Sequence, residues 1–187
     1  MAVARKLELL LDFKTFAEMI RPKPDDERWE LIEGEAVLMA PPSGEHQHIV
    51  MNVLRRLDAL ARAKDCRAYP GLGIASPHAD DFATIPDIVV RCGGSIDGRY
   101  FDDPVLIADV LSPSTMANDR GPKHAFHQGI ASLQVILLVY SDEPRVELWR
   151  RDGEEWTYEV AGGSSGKVAL ATLGGDLALR DVYDGVG

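Results

Sequence analysis

Two nearly unbroken apolar runs constrain this chain more than any other feature. Residues 105–111 read Val-Leu-Ile-Ala-Asp-Val-Leu, and residues 134–140 read Gln-Val-Ile-Leu-Leu-Val-Tyr. Strands this apolar, lacking the alternation of a half-exposed sheet, are expected where both faces are covered. The first run also carries an acid, Asp109. An ionised carboxylate among apolar neighbours faces a large desolvation cost unless a cation or hydrogen-bond donors offset it. The chain has 187 residues, 45% of them apolar. That supplies one domain over 1–187 with a real core and excludes a disordered or fibrous protein.

Other elements follow from periodicity and turn chemistry. Thr15 and Glu18 read as a capping box for a short helix with Phe16, Met19 and Ile20 on one side, ended by Pro22 and Pro24. Residues 29–39 read as two short strands around a Glu33-Gly34 turn. Residues 46–64 carry apolar side chains at three- and four-residue spacing and predict the longest helix. Residues 67–75 contain Pro70, Gly71 and Gly73 and suggest an irregular strand, whereas 85–91 suggests a regular one. Residues 121–130 suggest a helix weakened by Gly129. Residues 145–151 and 156–160 flank Asp152-Gly153 and predict a hairpin. After a loop at 162–166, a short strand and a tail are expected. The order predicts an α/β (α+β) domain: a mixed central sheet flanked by helices, with an N-terminal helix and hairpin.

Charge bears on the class of partner. With 20 Lys+Arg against 30 Asp+Glu, the formal net charge is −10, which argues against binding nucleic acid through bulk positive charge. The charge is unevenly spread. Residues 78–109 carry seven acids and two arginines, a net of −5, while residues 46–67 carry five basic residues and two acids, a net of +3. Cys66 and Cys92 form neither a closely spaced ligand pair nor a disulfide framework, so two free thiols in a reducing cytoplasm are expected. Residues 1–13 lack the features of a signal peptide, and no apolar run is long enough to span a membrane.

The candidate chemistry centres on two acids. Asp87 follows Pro86 and opens the strand Asp-Ile-Val-Val; Asp109 lies inside the apolar run. Two carboxylates on adjacent strands can share a hard divalent ion such as Mg²⁺. The simpler alternatives are a strand-edge turn for Asp87 and a buried acid paired with an arginine or backbone amides for Asp109. Lys123 is either a solvated surface lysine or a cation that stabilises charge developing on a phosphate.

In order along the chain stand Trp-Glu-Leu-Ile-Glu-Gly-Glu (29–35), Pro42-Ser43 with His46, Pro86-Asp87-Ile-Val-Val, Asp-Val-Leu-Ser-Pro-Ser-Thr (109–115) and Asp-Arg-Gly-Pro-Lys (119–123). Together they resemble the Uma2 family, also called DUF820, over residues 13–151 and on towards Tyr183. The resemblance implies a restriction-endonuclease-like fold of the PD-(D/E)XK nuclease superfamily, with a core at about 13–151 and C-terminal strands and a tail at 152–187. It implies a Mg²⁺-dependent (or Mn²⁺-dependent) endonuclease that hydrolyses DNA phosphodiester bonds. Asp87, Asp109 and the backbone carbonyl of Val110 would hold the metal. Lys123 would serve the reacting phosphate, Glu35 would complete the site and His46 would assist. Arg55 and Arg56 on the long helix would contact DNA phosphates. The chain departs from the family at Asp109, where Glu is usual, at His127, where Tyr is common, and at Tyr140, where an acid closes the strand.

Two alternatives stand beside this one. A catalytically degenerate, dimeric module that binds nucleic acid or protein would keep the fold and lose the activity. A serine hydrolase using Ser112 or Ser114 is disfavoured, because no Gly-x-Ser-x-Gly elbow occurs. A homodimer is expected through the apolar hairpins at 29–39 and 145–160.

Overall fold

Both apolar runs become strands, and they lie side by side. The computed structural model describes residues 10–24, 26–112 and 116–186. Ser114 and Thr115 of the 109–115 string lie outside the described residues, as do residues 1–9 of the N-terminal stretch. In chain order the elements are α1 (Phe13–Ile20), β1 (Trp29–Ile32), β2 (Glu35–Leu38), α2 (Gly44–Arg62), β3 (Cys66–Pro70), β4 (Gly73–Ser76), β5 (Ala79–Thr84), β6 (Ile88–Cys92) and β7 (Tyr100–Phe101). There follow β8 (Leu106–Leu111), α3 (Met116–Arg120), α4 (Pro122–Gln128), β9 (Val135–Tyr140), β10 (Arg145–Asp152), β11 (Glu155–Gly162), β12 (Lys167–Leu170), β13 (Gly175–Ala178) and α5 (Leu179–Val182).

The six-stranded sheet runs β11-β10-β9-β8-β6-β3, and its central β8–β9 pair is parallel. Every residue of β8 and of β9 is buried, which explains their unbroken apolarity. One face is covered by α2 through Ile49, Val53, Leu57 and Ala61, together with Val168, Leu177, Leu179 and Val182 from the C-terminal stretch. The other face packs against Phe126, Ile130 and Leu133 and against Ile74 of a second sheet. That five-stranded sheet runs β2-β1-β5-β4-β7, with β4 and β7 parallel. The result is a mixed α+β architecture.

Local chemistry explains the well-read elements. Ser43 caps α2, its hydroxyl accepting from the His46 N–H at 3.1 Å, and satisfies one of the orphan amides of the first turn. Glu33 and Gly34 both take positive φ, 51° and 79°, as a two-residue hairpin turn requires.

Several expectations are corrected. Helix α1 starts at Phe13 and its cap is Asp12, which accepts from the Thr15 N–H at 2.7 Å, so the Thr15–Glu18 box does not form the helix start. Residues 67–75 are not one irregular strand. The chain turns at Gly71 (φ +58°) and divides between β3 and β4, which belong to different sheets. Strand β5 was not expected, because Asp80 and Asp81 interrupt its apolar pattern. The helix expected over 121–130 is α4, ending at Gln128, and a further short helix that was not expected, α3, precedes it across Gly121. The C-terminal region is not a strand and tail. The β12–β13 hairpin and α5 complete the core beneath α2.

The two cysteines are also corrected. Cys66 and Cys92 are directly opposed in the antiparallel β3–β6 pair and form a disulfide. Their separation of 26 residues hides a proximity that only strand pairing creates. No helix among the described residues is long and apolar enough to cross a membrane.

Candidate active site

The site forms where the β6–β8 pairing stops. The last registered pair is Ile88↔Ala108; one step further, Asp87 lies opposite Asp109. There the side chains replace the ladder. The Asp87 N–H donates to Asp109 Oδ1 at 3.3 Å, and the Val110 N–H donates to Asp87 Oδ2 at 2.8 Å. Gly71 fixes the backbone from the other side, its N–H donating to the Asp87 carbonyl at 3.0 Å. His46, in the first turn of α2, places Nε2 3.1 Å from Asp87 Oδ1. The sequence-predicted Asp87, Asp109, Val110 and His46 therefore meet.

Lys123 belongs to the same cluster and is not a surface lysine. Only 4% of it is exposed. Its Nζ lies 3.0 Å from Glu30 Oε1 and 2.9 Å from Asp119 Oδ1. Both carboxylates are as buried as the lysine. Glu30 also accepts from the Ile85 N–H at 2.7 Å, which ties the acid to the segment leading into Asp87.

The electrostatics follow from the count of charges. Asp109, Glu30 and Asp119 surround one ammonium, and Asp87 stands beside them. Burial pushes the Asp109 carboxyl up to about 8, and repulsion from Asp119, Asp87 and Glu30 adds to the rise against the pull of Lys123. Lys123 shifts in the opposite sense for its charge. Burial opposes the ammonium, but Asp109, Glu30 and Asp119 outweigh it and hold the group above its ordinary value. The cluster thus carries more buried negative charge than its one lysine can balance. His127 sits one helical turn beyond Lys123 with Nε2 2.9 Å from Thr84 Oγ1. Burial, followed by the charges of Lys123 and His124, holds its imidazole well below the usual range, so it is neutral.

The remaining predicted residues lie elsewhere. Glu35 stands at the turn end of β2, the outer strand of its sheet, and is exposed. The acid of this motif that reaches Lys123 is Glu30, five residues earlier. Arg55 is exposed on α2. Arg56 is tied to β13, donating through Nε to the Asp176 carbonyl at 2.8 Å and approaching Asp176 Oδ1 at 3.3 Å through Nη2. It anchors the C-terminal hairpin. Both arginines are nine or ten residues from His46, about 14 Å along the helix axis.

Glu30 and Asp119 escaped the sequence reading, although each left a signal. Glu30 shares a face with the buried Ile32 in a period-two reading of β1. Asp119 precedes Lys123 by four residues, the spacing of a helical ion pair.

A second polar cluster adjoins the first. Asp119 points to Lys123, while its neighbour Arg120 reaches Glu147 Oε1 at 3.2 Å. The same oxygen accepts from Tyr140 Oη at 2.7 Å and Arg145 Nη2 at 2.9 Å. Tyr140 thus fills the strand end with a hydrogen-bond donor in place of an acid. Burial, with the Glu147 contact, raises its phenol to about 12.

The donors present fit a hard divalent cation. Among the described residues, no three His, Cys, Asp or Glu side chains form a ready-made cage. However, Asp87 and Asp109 offer two carboxylates in an acid-rich cluster, and a Mg²⁺ ion retains several waters and needs few protein ligands. The Val110 N–H faces Asp87, and the carbonyl of an extended residue leaves its strand on the same side.

Comparison with known proteins places the chain. It is 27% identical over 167 residues to the uncharacterized protein slr1290 of Synechocystis sp., covering 86% of this chain and 85% of that protein. It is 26% identical over 171 residues to the uncharacterized protein sll1609 of the same organism, covering 85% and 93%. Its fold matches the crystal structure of a putative nuclease belonging to DUF820 from Anabaena variabilis. The TM-score is 0.74 at 20% sequence identity, over 92% of this chain and 97% of that one. The Uma2 family model, described as a putative restriction endonuclease, matches residues 13–179, and the chain belongs to that family.

Proposed function

We propose that this protein is a divalent-metal-dependent endonuclease that cleaves DNA phosphodiester bonds. The observation that carries the proposal is the opposition of Asp87 and Asp109 at the end of the β6–β8 pair, with buried Lys123 beside them and surplus negative charge around it. Asp87, Asp109 and the Val110 carbonyl would hold Mg²⁺ or Mn²⁺. A bound ion would supply a water of lowered pKa and a Lewis acid for the phosphoryl oxygens. Lys123 places a positive charge that neutralises charge developing on the phosphate. Its two ion pairs, with Glu30 and Asp119, fix the direction of that ammonium. His46 orients Asp87 by holding Oδ1, while the Val110 N–H holds Oδ2. Arg55 is the better placed of the two helix arginines for a phosphate contact, since Arg56 is engaged with Asp176.

The test is nicking of supercoiled plasmid with Mg²⁺ or Mn²⁺, against EDTA. Asp87→Ala should lower the rate at least 100-fold with the fold intact by circular dichroism. Equal rates for the variant and the wild type would sink the proposal. The competing reading, a binding module without activity, draws on the Asp109 side chain, one methylene shorter than the usual Glu. Calorimetry separates the two: an intact site takes up Mn²⁺ and loses it in Asp109→Ala, and a degenerate module does neither. We also include a homodimer in this proposal. The outer strand β11 exposes Tyr158 and Val160, and a sedimentation mass of one chain would exclude the dimer.

A further inference from the structure

Strand β11 is the least protected edge of the two large sheets. It runs over Glu155–Gly162, and all of it except Trp156 and Ala161 is exposed. The other outer strands are shorter: β2 has four residues, β7 has two, and β3 has five and ends in Pro70. Monomeric proteins blunt a long free edge with proline, lysine or a bulge. Residues 155–162 contain neither proline nor lysine. Their pairing with β10 runs unbroken from Asp152↔Glu155 to Arg145↔Gly162.

The register with β10 determines which backbone groups face outward. The Arg151 N–H turns away from β11 and donates to the Gln134 carbonyl at 2.9 Å. Arg151 stands opposite Trp156. That pair therefore exchanges no hydrogen bonds, and the N–H and C=O of Trp156 point to the free edge. The pattern alternates, so Tyr158 and Val160 also point theirs outward. The side chains of these residues share one face of the strand. The Arg151 guanidinium sits 4.6 Å over the Trp156 ring, and Tyr158 lies 4.6 Å from the Trp149 ring. Those contacts hold the rings in place, yet Tyr158 and Val160 keep 47% and 44% of their surface in solvent. Free backbone groups and exposed apolar side chains thus coincide along the edge.

A second copy of the strand complements this edge. Two copies related by a two-fold axis pair antiparallel, and like charges set directly opposite each other are destabilising. An axis through Thr157 sets Glu155 against the partner's Glu159. An axis through Glu159 sets that acid against the partner's Glu159. An axis through Tyr158 avoids both: Glu159 meets the partner's Thr157, and Glu155 meets the partner's Ala161. In that register Tyr158 meets the partner's Tyr158, and Trp156 meets the partner's Val160, all on one face. Each of these pairs exchanges two backbone hydrogen bonds. On the opposite face Glu159 keeps its ion pair with Arg150 at 3.3 Å.

We infer that β11 is the surface on which a second copy of this chain docks, antiparallel and centred on Tyr158, so that one sheet continues across both subunits. The inference rests on the homodimer included in the proposal above and is independent of its catalytic part.

The test combines a cysteine scan of the edge with sedimentation. Under air oxidation, Tyr158→Cys should link two chains on a non-reducing gel. In this register the residue faces its own copy at about 5.5 Å between Cα atoms, within disulfide reach. Thr157→Cys and Glu159→Cys should link at least tenfold more slowly. The wild type, whose Cys66 and Cys92 are joined to each other, should not link. By sedimentation the wild type should be a dimer. Tyr158→Lys opposes two ammonium groups and should raise the dimer dissociation constant at least tenfold, with native circular dichroism. Val160→Pro removes an N–H that its own sheet does not use and should weaken the dimer in the same way. A wild-type mass of one chain overturns the inference together with the homodimer. A dimer that persists in both variants, or that links as readily through residue 157 as through 158, overturns this interface alone. Asp87→Ala should dimerise as the wild type does whatever its effect on plasmid nicking, so the catalytic reading and this interface fail in different measurements.

Discussion

Asp119 and Arg120 are neighbours in sequence, yet they serve two ionic clusters of opposite character. Around Lys123, every partner is buried: Glu30, Asp109 and Asp119 crowd one ammonium. Around Glu147 the arrangement is inverted. One fully buried carboxylate receives Tyr140 and two arginines, and those arginines keep 35% and 42% of their side chains in solvent. The second cluster has its charge matched, and its excess is carried by groups that water can reach. The first leaves negative charge unmatched where water cannot reach it. Unmatched buried charge costs stability and persists where something else, such as a cation or substrate, balances it. The comparison separates a candidate active site from a structural clamp on the same helix pair.

The largest effect expected from the comparison is at the clamp. Glu147→Ala leaves the buried Tyr140 hydroxyl without its acceptor and two partly exposed arginines without their carboxylate, and should cost about 1–3 kcal/mol of stability, measured by urea unfolding. A cost below 1 kcal/mol would erase the distinction. At the acid cluster the sign reverses. Asp109→Asn removes a buried acid that burial and three carboxylates disfavour, so in EDTA it should stabilise the fold by about 1–2 kcal/mol while abolishing plasmid cleavage. A lower melting temperature in EDTA would show that the site is balanced after all.

Next comes the choice between the two glutamates of the hairpin. Glu30→Gln should lower the nicking rate at least tenfold, because it weakens the hold on Lys123. Glu35→Gln should stay within twofold of wild type. The reverse order would return Glu35 to the site.

The smallest effect is one of pH. The native His127 imidazole lies well below its ordinary value, so the unfolded chain binds its proton first as pH falls. Stability from this residue is fully present above about 6.5 and declines below it, at most by about 1.4 kcal/mol per pH unit. His127→Gln should flatten the fall in melting temperature between pH 6.5 and 5. An unchanged slope would remove His127 from the titrating groups.

Much of this was legible in the chain. The continuous apolarity of β8 and β9, the helical spacing in α2 and the Glu33-Gly34 turn are local signals that the tertiary structure had no reason to override. Asp87, Asp109, Val110, His46 and Lys123 were named from sequence and family resemblance, and the structure brings all five together. Glu35 was chosen over Glu30 because a motif gives the order of two acids but not the strand position that decides which one faces inward. Strand β5 went unseen because its two consecutive exposed acids, Asp80 and Asp81, break both the apolar run and the alternation that mark a strand.

The sequence by itself determined which segments must be buried, because apolar pattern and turn chemistry act over a few residues. Only the tertiary structure decided which distant groups meet. The register of β6 against β8 set Asp87 opposite Asp109, and that of β3 against β6 joined Cys66 to Cys92. The placing of β1 beside β5 brought Glu30 to Lys123. Each of these depends on strand pairing across many residues, and a one-residue slip in register would send every side chain to the opposite face.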